Sequence, residues 1–420
     1  MALLVSAIFA AALIAIVADW IDRTKIALLG AAAVVLVGAL TVDTAVESVD
    51  WQTLGLLVGM MIIVVLVEPT GIFGYLGLHA ARLSRGRPMR LLFLLGLLTG
   101  TMSAFLDNLT AILLVLPMAF AVSRQLGISP IPLVVTQILS SNLGGTATLI
   151  GDPPNIMIGG AKPELSFVEF IVNLAPPSVV ALVVAILMLR VLFRHDLRYD
   201  PVRAAALQDL VPSSELREST ARRAVVLGVL GLTLLAFFAH NAIHLAPAVV
   251  ALCGATAMLL VTDVKIEKAL ERVEWATLFF FIGLFVMVGA LEQQGVIERI
   301  ADVVQEMTSG SEPIQALVIL WGAAVGSALV DNIPFTAAMI PVVDQIDGAG
   351  IKPFLWWSLA LGACFGGNAT MVAAAANVAA TGIAKREGHP ISFARFLLYG
   401  LPVTIVSLVI ATLWVQLVLL

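Results

Sequence analysis

Four polar islands interrupt the apolar stretches of this chain, and each holds residue types that can bind or carry an ion. The first, SAFLDNLTA, supplies Ser103, Asp107, Asn108 and Thr110. The second, SSNLGGTATLIGDPPN, supplies Asn142, Gly144, Gly145, Thr146, Thr148, Asp152 and Asn155. The third, SALVDNIPFTA, supplies Ser327, Asp331, Asn332 and Thr336. The fourth, CFGGNATMVAAAAN, supplies Cys364, Gly366, Gly367, Asn368, Thr370 and Asn377. Glycine pairs and prolines release backbone N–H and C=O groups from the helical ladder. In hydrocarbon such groups persist only where they line a protein cavity. Helix N-termini opened in this way attract anions or hydroxyl oxygens, while Asn and Thr add neutral donors and acceptors. The carboxylates can exchange protons or hold a cation. Asp107, Asp152 and Asp331 fall deep inside apolar runs, where a charge costs about 2.5–3.5 kcal/mol on insertion scales, and so read as functional coupling groups. Asp152 has a second reading as a cap for the helix opened by Pro153 and Pro154.

The elements around these islands must be membrane spans. The chain has 420 residues, is 60% hydrophobic and 12% charged, and has a mean hydropathy of +1.04. A soluble fold of this size needs far more polar surface. Runs of about 20 apolar residues predict spans over 2–19, 26–41, 52–68, 131–161, 173–194, 224–240, 246–262, 275–291, 353–380 and 396–419. The first reads as a retained span rather than a signal peptide. The stretches 91–122 and 314–347 are each broken centrally by Asp-Asn, which predicts two re-entrant hairpins.

This layout puts 20 Lys and Arg residues on one side and Lys162, Arg299 and Lys352 on the other, making the first side cytoplasmic. Both chain ends then face outward. An interfacial amphipathic helix is expected near 74–90, with a basic partner-binding patch as the alternative. Glu68 and Glu292 read as interfacial anchors, and His240 and His244 as solvated residues of an outer loop.

The halves repeat. Asp50-Trp51 matches Glu274-Trp275 at an offset of 224, as do Glu68 and Glu292, Gly71 and Gly295, Ser103 and Ser327, Asp107-Asn108 and Asp331-Asn332, and Pro117 and Pro341. Gly144-Gly145, Thr148 and Asn155 match Gly366-Gly367, Thr370 and Asn377 at 222. Asp152 falls opposite Ala374, and Asn142 opposite Cys364. Trp51 starts its span outside and Trp275 inside, so the repeats are inverted, the best sequence pointer to a transport site. The expected architecture is an all-α polytopic membrane protein with an inverted repeat, two re-entrant hairpins and two discontinuous helices. Residues 1–194 form the first half with a cytoplasmic-side hairpin, 195–223 a cytoplasmic linker, and 224–420 the second half. That half starts with two connecting spans and carries an outer-side hairpin.

The strings DNLTA, GGTATLIGDPPN and DNIPFTA resemble those of the ion transporter superfamily, in particular the ArsB/NhaD-type permeases and the related melanosomal P protein. The resemblance covers nearly the whole chain. It implies a scaffold and a mobile transport region, often moved as an elevator, with substrate between hairpin tips and unwound helix centres. Family dicarboxylate carriers show Ser-Asn-Thr at these tips. Here Asp107 and Asp331 stand in the Ser position, which disfavours a dianion and fits proton or cation coupling. Arsenite permeases also pair with an ATPase subunit.

The leading expectation is proton-coupled efflux of arsenite or antimonite, as neutral hydroxides, across the inner membrane. Sodium–proton antiport is the alternative, and an anion or dicarboxylate symporter comes third. The site is expected to hold no Arg or Lys, which argues against tight oxyanion binding. No cofactor is expected, and the acidic balance does not point to nucleic acid. An enzyme is disfavoured because the sequence has no HExxH motif, Walker loop or nucleophile elbow. Cys253 and Cys364 lack CxxC spacing and predict no disulfide. Cys364 is a soft donor suited to a soft ion, although a small buried thiol is the commoner role.

Overall fold

The structure, a computed structural model, describes residues 1–18, 21–197, 199–206, 220–348 and 352–420. The first half forms α1 (Ala2–Val17), α2 (Arg23–Leu36), α3 (Val42–Glu47), α4 (Trp51–Val67), α5 (Ile72–Leu83), α6 (Pro88–Ser103), α7 (Asn108–Leu126), α8 (Ile131–Gly145), α9 (Pro153–Ala161) and α10 (Phe167–Leu192). A short α11 (Pro201–Ala206) follows in the linker, of which residues 198 and 207–219 lie outside the described residues. The second half forms α12 (Thr220–Ala239), α13 (Pro247–Val261), α14 (Ile266–Leu270), α15 (Trp275–Gln293), α16 (Val296–Thr308), α17 (Glu312–Leu329), α18 (Asn332–Asp347), α19 (Pro353–Gly366), α20 (Ala375–Arg386) and α21 (Phe393–Trp414). Seven of the described helices are long and apolar enough to cross a membrane.

Local sequence sets these boundaries, in several places by matching devices in the two halves. Asp22 and Asp50 accept backbone N–H groups at the starts of α2 and α4, which satisfies donors that a helix leaves open. Ser166 and Ser392 cap the repeat-related α10 and α21. Gly71 and Gly295, at φ 71° and 70°, start α5 and α16 in the left-handed conformation that glycine adopts without steric cost. Pro117 in α7 and Pro341 in α18 occupy matching helix interiors.

The element order extends the repeat beyond the sequence reading. The two spans read as connecting segments are α12 and α13, the second-half counterparts of α1 and α2; Arg23 and Pro247, at the offset of 224, open α2 and α13. Pairing between halves is reciprocal: α2 packs on α15, and α13 packs on α4. Equivalent helices run antiparallel. Glu68, just past the end of α4, meets Arg272 just before α15, while Ser48, just before α4, packs on Gly289 near the end of α15. Glu68 is therefore tied across the two halves rather than being a lone anchor.

Helices α1–α4 and α12–α15 form one group, and α6–α10 and α17–α21 form another. Within the second group α6 lies on α8, and α17 on α19. Helices α5 and α16 link the groups. The amphipathic helix expected at 74–90 ends earlier, with Ser84 as the cap of α5 and a turn through Arg85 and Gly86. Its counterpart α16 was not foreseen, because Glu298, Arg299, Asp302 and Glu306 dilute the apolar run; Ile297 and Ala301 mark the buried face.

His240 is buried rather than solvated. Its Nε2 accepts the Phe167 N–H at 3.0 Å, and its Nδ1 lies 3.1 Å from the Leu245 carbonyl oxygen, so the ring ties α12 to the start of α10. His244 is exposed.

Candidate functional site

Both hairpins turn sharply before an Asp-Asn pair. In each, the aspartate works first as a helix cap. Asp107 Oδ1 accepts the Thr110 N–H at 2.8 Å, and its second oxygen accepts the Thr110 hydroxyl. Asp331 Oδ1 accepts the Ile333 N–H at 2.9 Å. The neighbouring asparagines reach further. Asn108 Nδ2 donates to Asn142 Oδ1 at 3.0 Å and to Asp152 Oδ1 at 3.3 Å. Asn332 Nδ2 donates to the same Asp152 oxygen at 3.1 Å.

Asp152 thus receives both tips on one oxygen. It occupies the N-cap position of α9 but makes no capping hydrogen bond. The capping role foreseen for Asp152 belongs instead to Asp107 and Asp331. Pro153 and Pro154, which carry no N–H, open α9, and this leaves the carboxylate free to face the tips. Asp152 is fully buried, and its Oδ2 has no hydrogen-bond partner among the described residues.

The broken helices hold themselves open with their own asparagines. Asn155 Nδ2 donates to the carbonyls of Thr146 and Thr148 at 3.0 and 2.8 Å. Asn377 Nδ2 does the same for Gly367 and Thr370 at 2.7 and 2.9 Å. Each break is also tied to its hairpin. Thr148 donates to the Ala104 carbonyl, and Thr370 to the Ala328 carbonyl. Asn142 crosses between halves, donating to Asn368 Oδ1 and Asn377 Oδ1, both at 2.9 Å. Asn368 donates to the Leu139 carbonyl at 3.2 Å. The Cys364 thiol points at Asn155 Oδ1, 3.6 Å away.

The remaining predicted residues serve the frame. Ser327 donates to the Ala363 carbonyl, Thr336 to Asn332 and Thr146 to Asn142. Ser103 is buried with its hydroxyl unpaired among the described residues. A Cβ on Gly144 would lie 2.0 Å from the Gly100 carbonyl oxygen, and one on Gly366 would lie 2.5 Å from that of Ala324. These two glycines let α8 and α19 press onto α6 and α17. A Cβ on Gly145 would meet the Gly151 carbonyl oxygen across the break at 2.4 Å. Gly367 is the C-cap of α19, and its carbonyl is held by Asn377. Among the described residues no three His, Cys, Asp or Glu side chains gather in metal-binding reach.

A narrow cleft of about 40 Å³, room for a few waters at most, reaches Asp107, Asn108 and Asn332 from the face that carries Arg23 and Glu274. Sequence reasoning missed both of these residues. Arg23 lies 3.6 Å from Asp331 Oδ2, and its Cζ stands 5.2 Å from the Phe280 ring centre. The site therefore does contain an arginine, contrary to the expectation. It was hidden because Arg23 belongs to α2, far in sequence from every island; its departure from the repeat, where Pro247 stands opposite, was the available signal. Glu274 was matched to Asp50 but not read as part of the site. On the opposite face, a cavity of about 290 Å³ is lined by Asp50, Glu292 and Asp344. It reaches Ala337 on α18 but no residue of either tip.

Antiparallel repeats that bring two hairpin tips onto one buried carboxylate between broken helices define a secondary membrane transporter. The profile of the CitMHS family, described as citrate transporter, matches residues 13–362, and the chain belongs to that family. An uncharacterized transporter of Mycobacterium tuberculosis (strain ATCC 25618 / H37Rv) is 40% identical over 98% of this chain and 97% of its own length. The P protein of Homo sapiens is 33% identical over 96% of this chain, which spans 58% of that longer protein. In fold, the chain is similar to the crystal structure of the Alcanivorax borkumensis YdaH transporter, with a TM-score of 0.56 at 16% identity, covering 89% of this chain and 86% of the other.

Proposed function

We propose that this chain is a proton-coupled exporter of a small neutral hydroxide, arsenite or antimonite, in which Asp152 exchanges the proton and Asn108 and Asn332 grip the cargo. The carrying observation is the buried Asp152 carboxylate, with one oxygen held by both tips and the other, near the Cys364 thiol, in no geometric hydrogen bond among the described residues. A buried carboxylate without a paired cation is costly, and a proton or a cation relieves that cost. Proton loss from Asp152 would strengthen its hold on both tip amides, and proton gain would loosen it. The state of one carboxylate would thereby set the state of both hairpins. Asp107, Asp331 and Glu274 stand nearby with the guanidinium of Arg23 among them. That charge balance disfavours a free polycarboxylate and suits a neutral cargo with hydroxyl donors and acceptors.

In this reading the hairpins are re-entrant and the hairpin group is the mobile part, moving as an elevator in the inner membrane. The Arg23 face and the linker are cytoplasmic under the charge rule, and the tips are reached from that side. An ATPase subunit, if one binds, has the linker as its landing surface. Sodium–proton antiport is the second reading, favoured by the same acidic cleft and unpartnered oxygen.

One experiment separates them. The protein is expressed in a host lacking both arsenite export and sodium antiport, and growth is scored on arsenite and on high sodium. Arsenite rescue lost in Asp152→Asn supports the proposal. Sodium rescue without arsenite rescue replaces it with the second reading, and rescue of arsenite growth that survives Asp152→Asn sinks the coupling role.

A further inference from the structure

Arg23 opens α2 and reaches the hairpin group through Asp331. Its side chain is partly buried (29% exposed), and the guanidinium lies over the ring of Phe280 from α15. It approaches Asp331, whose side chain is 8% exposed, at the tip of the second hairpin. The pair therefore spans the boundary between the two helix groups. The ion pairs Arg272–Glu68, Lys162–Asp344 and Arg124–Glu387 each stay inside one group. At 3.6 Å the Arg23 contact is an ion pair without a hydrogen bond, so charge rather than directional bonding holds it. The charged groups around it are Glu274 at the start of α15, Asp107 at the first tip and Asp152 at the break in α8–α9.

We propose that Arg23–Asp331 is a proton-released latch that holds the hairpin group in the state open toward the Arg23 face. Ionised Asp331 keeps the second tip against α2 and α15. A proton on Asp331 removes the attraction, and the hairpin group becomes free to move past α4 and α15. Arg23 is thus a positioning residue, acting through Asp331 on the motion of the hairpin group. The proposal rests on the transport reading above for the existence of that motion, but not on the identity of the cargo.

The test measures distance rather than transport. Spin labels on Val46→Cys of α3 and Val378→Cys of α20, both at exposed positions, report the separation of the two groups in lipid nanodiscs. The exposed Cys253 is replaced by Ala, and the buried Cys364 is kept. The parent protein is expected to shift its mean distance between about pH 8 and about pH 5, across the range where a buried carboxylate titrates. Arg23→Gln is expected to show the low-pH distance at both pH values, and Asp331→Asn to match it. Arg23→Lys, which keeps the charge, is expected to retain the shift. A parent-like shift in Arg23→Gln, or in Asp331→Asn should the first variant fail to fold, overturns the latch; so does a parent distance that ignores pH. No cargo is present, so the arsenite result bears on the proposed function and leaves this test intact.

Discussion

The two broken helices are the same device built twice, yet only one carries a charge. Asn155 and Asn377 hold the two breaks open with matching hydrogen bonds, and Thr148 and Thr370 tie each break to its own hairpin. At the cap position of the second half-helix, however, Asp152 faces Ala374, which is fully buried. Both tips therefore converge on one side of the pseudo-symmetric site. The repeat supplies the frame in duplicate, and a single departure from the repeat makes the binding centre. One buried carboxylate can be satisfied by two amides and a proton; a second one in the same buried site would repel it in a medium of low dielectric.

The largest expected effect comes from moving that charge. Asp152→Asn should abolish coupled flux in proteoliposomes. Adding Ala374→Asp to Asp152→Ala should fail to restore it, because the tip amides of Asn108 and Asn332 are both directed at position 152. Restored flux in the double variant would show that the halves are chemically equivalent.

Next come the tip amides. Asn108→Ala and Asn332→Ala each remove a hydrogen bond to a carboxylate, worth about 1.5–3 kcal/mol. Coupled flux should fall by roughly 10–100-fold in each, and by similar factors, since both reach the same oxygen. A large inequality would mean that one hairpin dominates.

Gly144→Ala and Gly366→Ala test the duplicated frame. Each Cβ would strike a carbonyl oxygen of the facing helix, and overpacking of this kind costs about 1–3 kcal/mol. Thermal unfolding in detergent should drop in both, and more for Gly144→Ala, whose contact is the shorter. Thr370→Val removes one staple to the Ala328 carbonyl, and should cost about 1 kcal/mol by the same measurement. The smallest effect is expected for Arg124→Gln. Its pair with Glu387 is exposed on both sides, and such surface pairs contribute about 0.2–1 kcal/mol. Loss of more than a few degrees in that variant would give the pair a role beyond the surface.

The four islands, the repeat and the turn before each Asp-Asn pair were legible because helix breaks in an apolar chain are conspicuous. The roles of the three aspartates were not. Asp107 and Asp331 stood out by repetition, yet each spends oxygens on its own helix start. Asp152, lacking a repeat partner, turned out to be where the tips meet. The local string around each was compatible with capping, and the choice fell to whichever carboxylate had amides delivered to it from elsewhere in the fold. The counterpart of α2 was missed although its signal was present: at the offset of 224, Ala27, Leu28, Gly30, Ala31, Ala33 and Leu36 recur as Ala251, Leu252, Gly254, Ala255, Ala257 and Leu260, small and apolar identities that a search for polar islands passes over.

By itself the sequence determined where helices must stop, because glycine, proline and aspartate act through their own backbone neighbourhood. It also determined that the chain lives in lipid, because composition alone decides which solvent can cover it. Tertiary structure decided which polar groups face one another across 180 residues, as Asn332 and Asp152 do, and brought Arg23 to Asp331 across a helix-group boundary. Hydrogen bonds and ion pairs are short-ranged, so such partnerships exist only once packing has closed those distances.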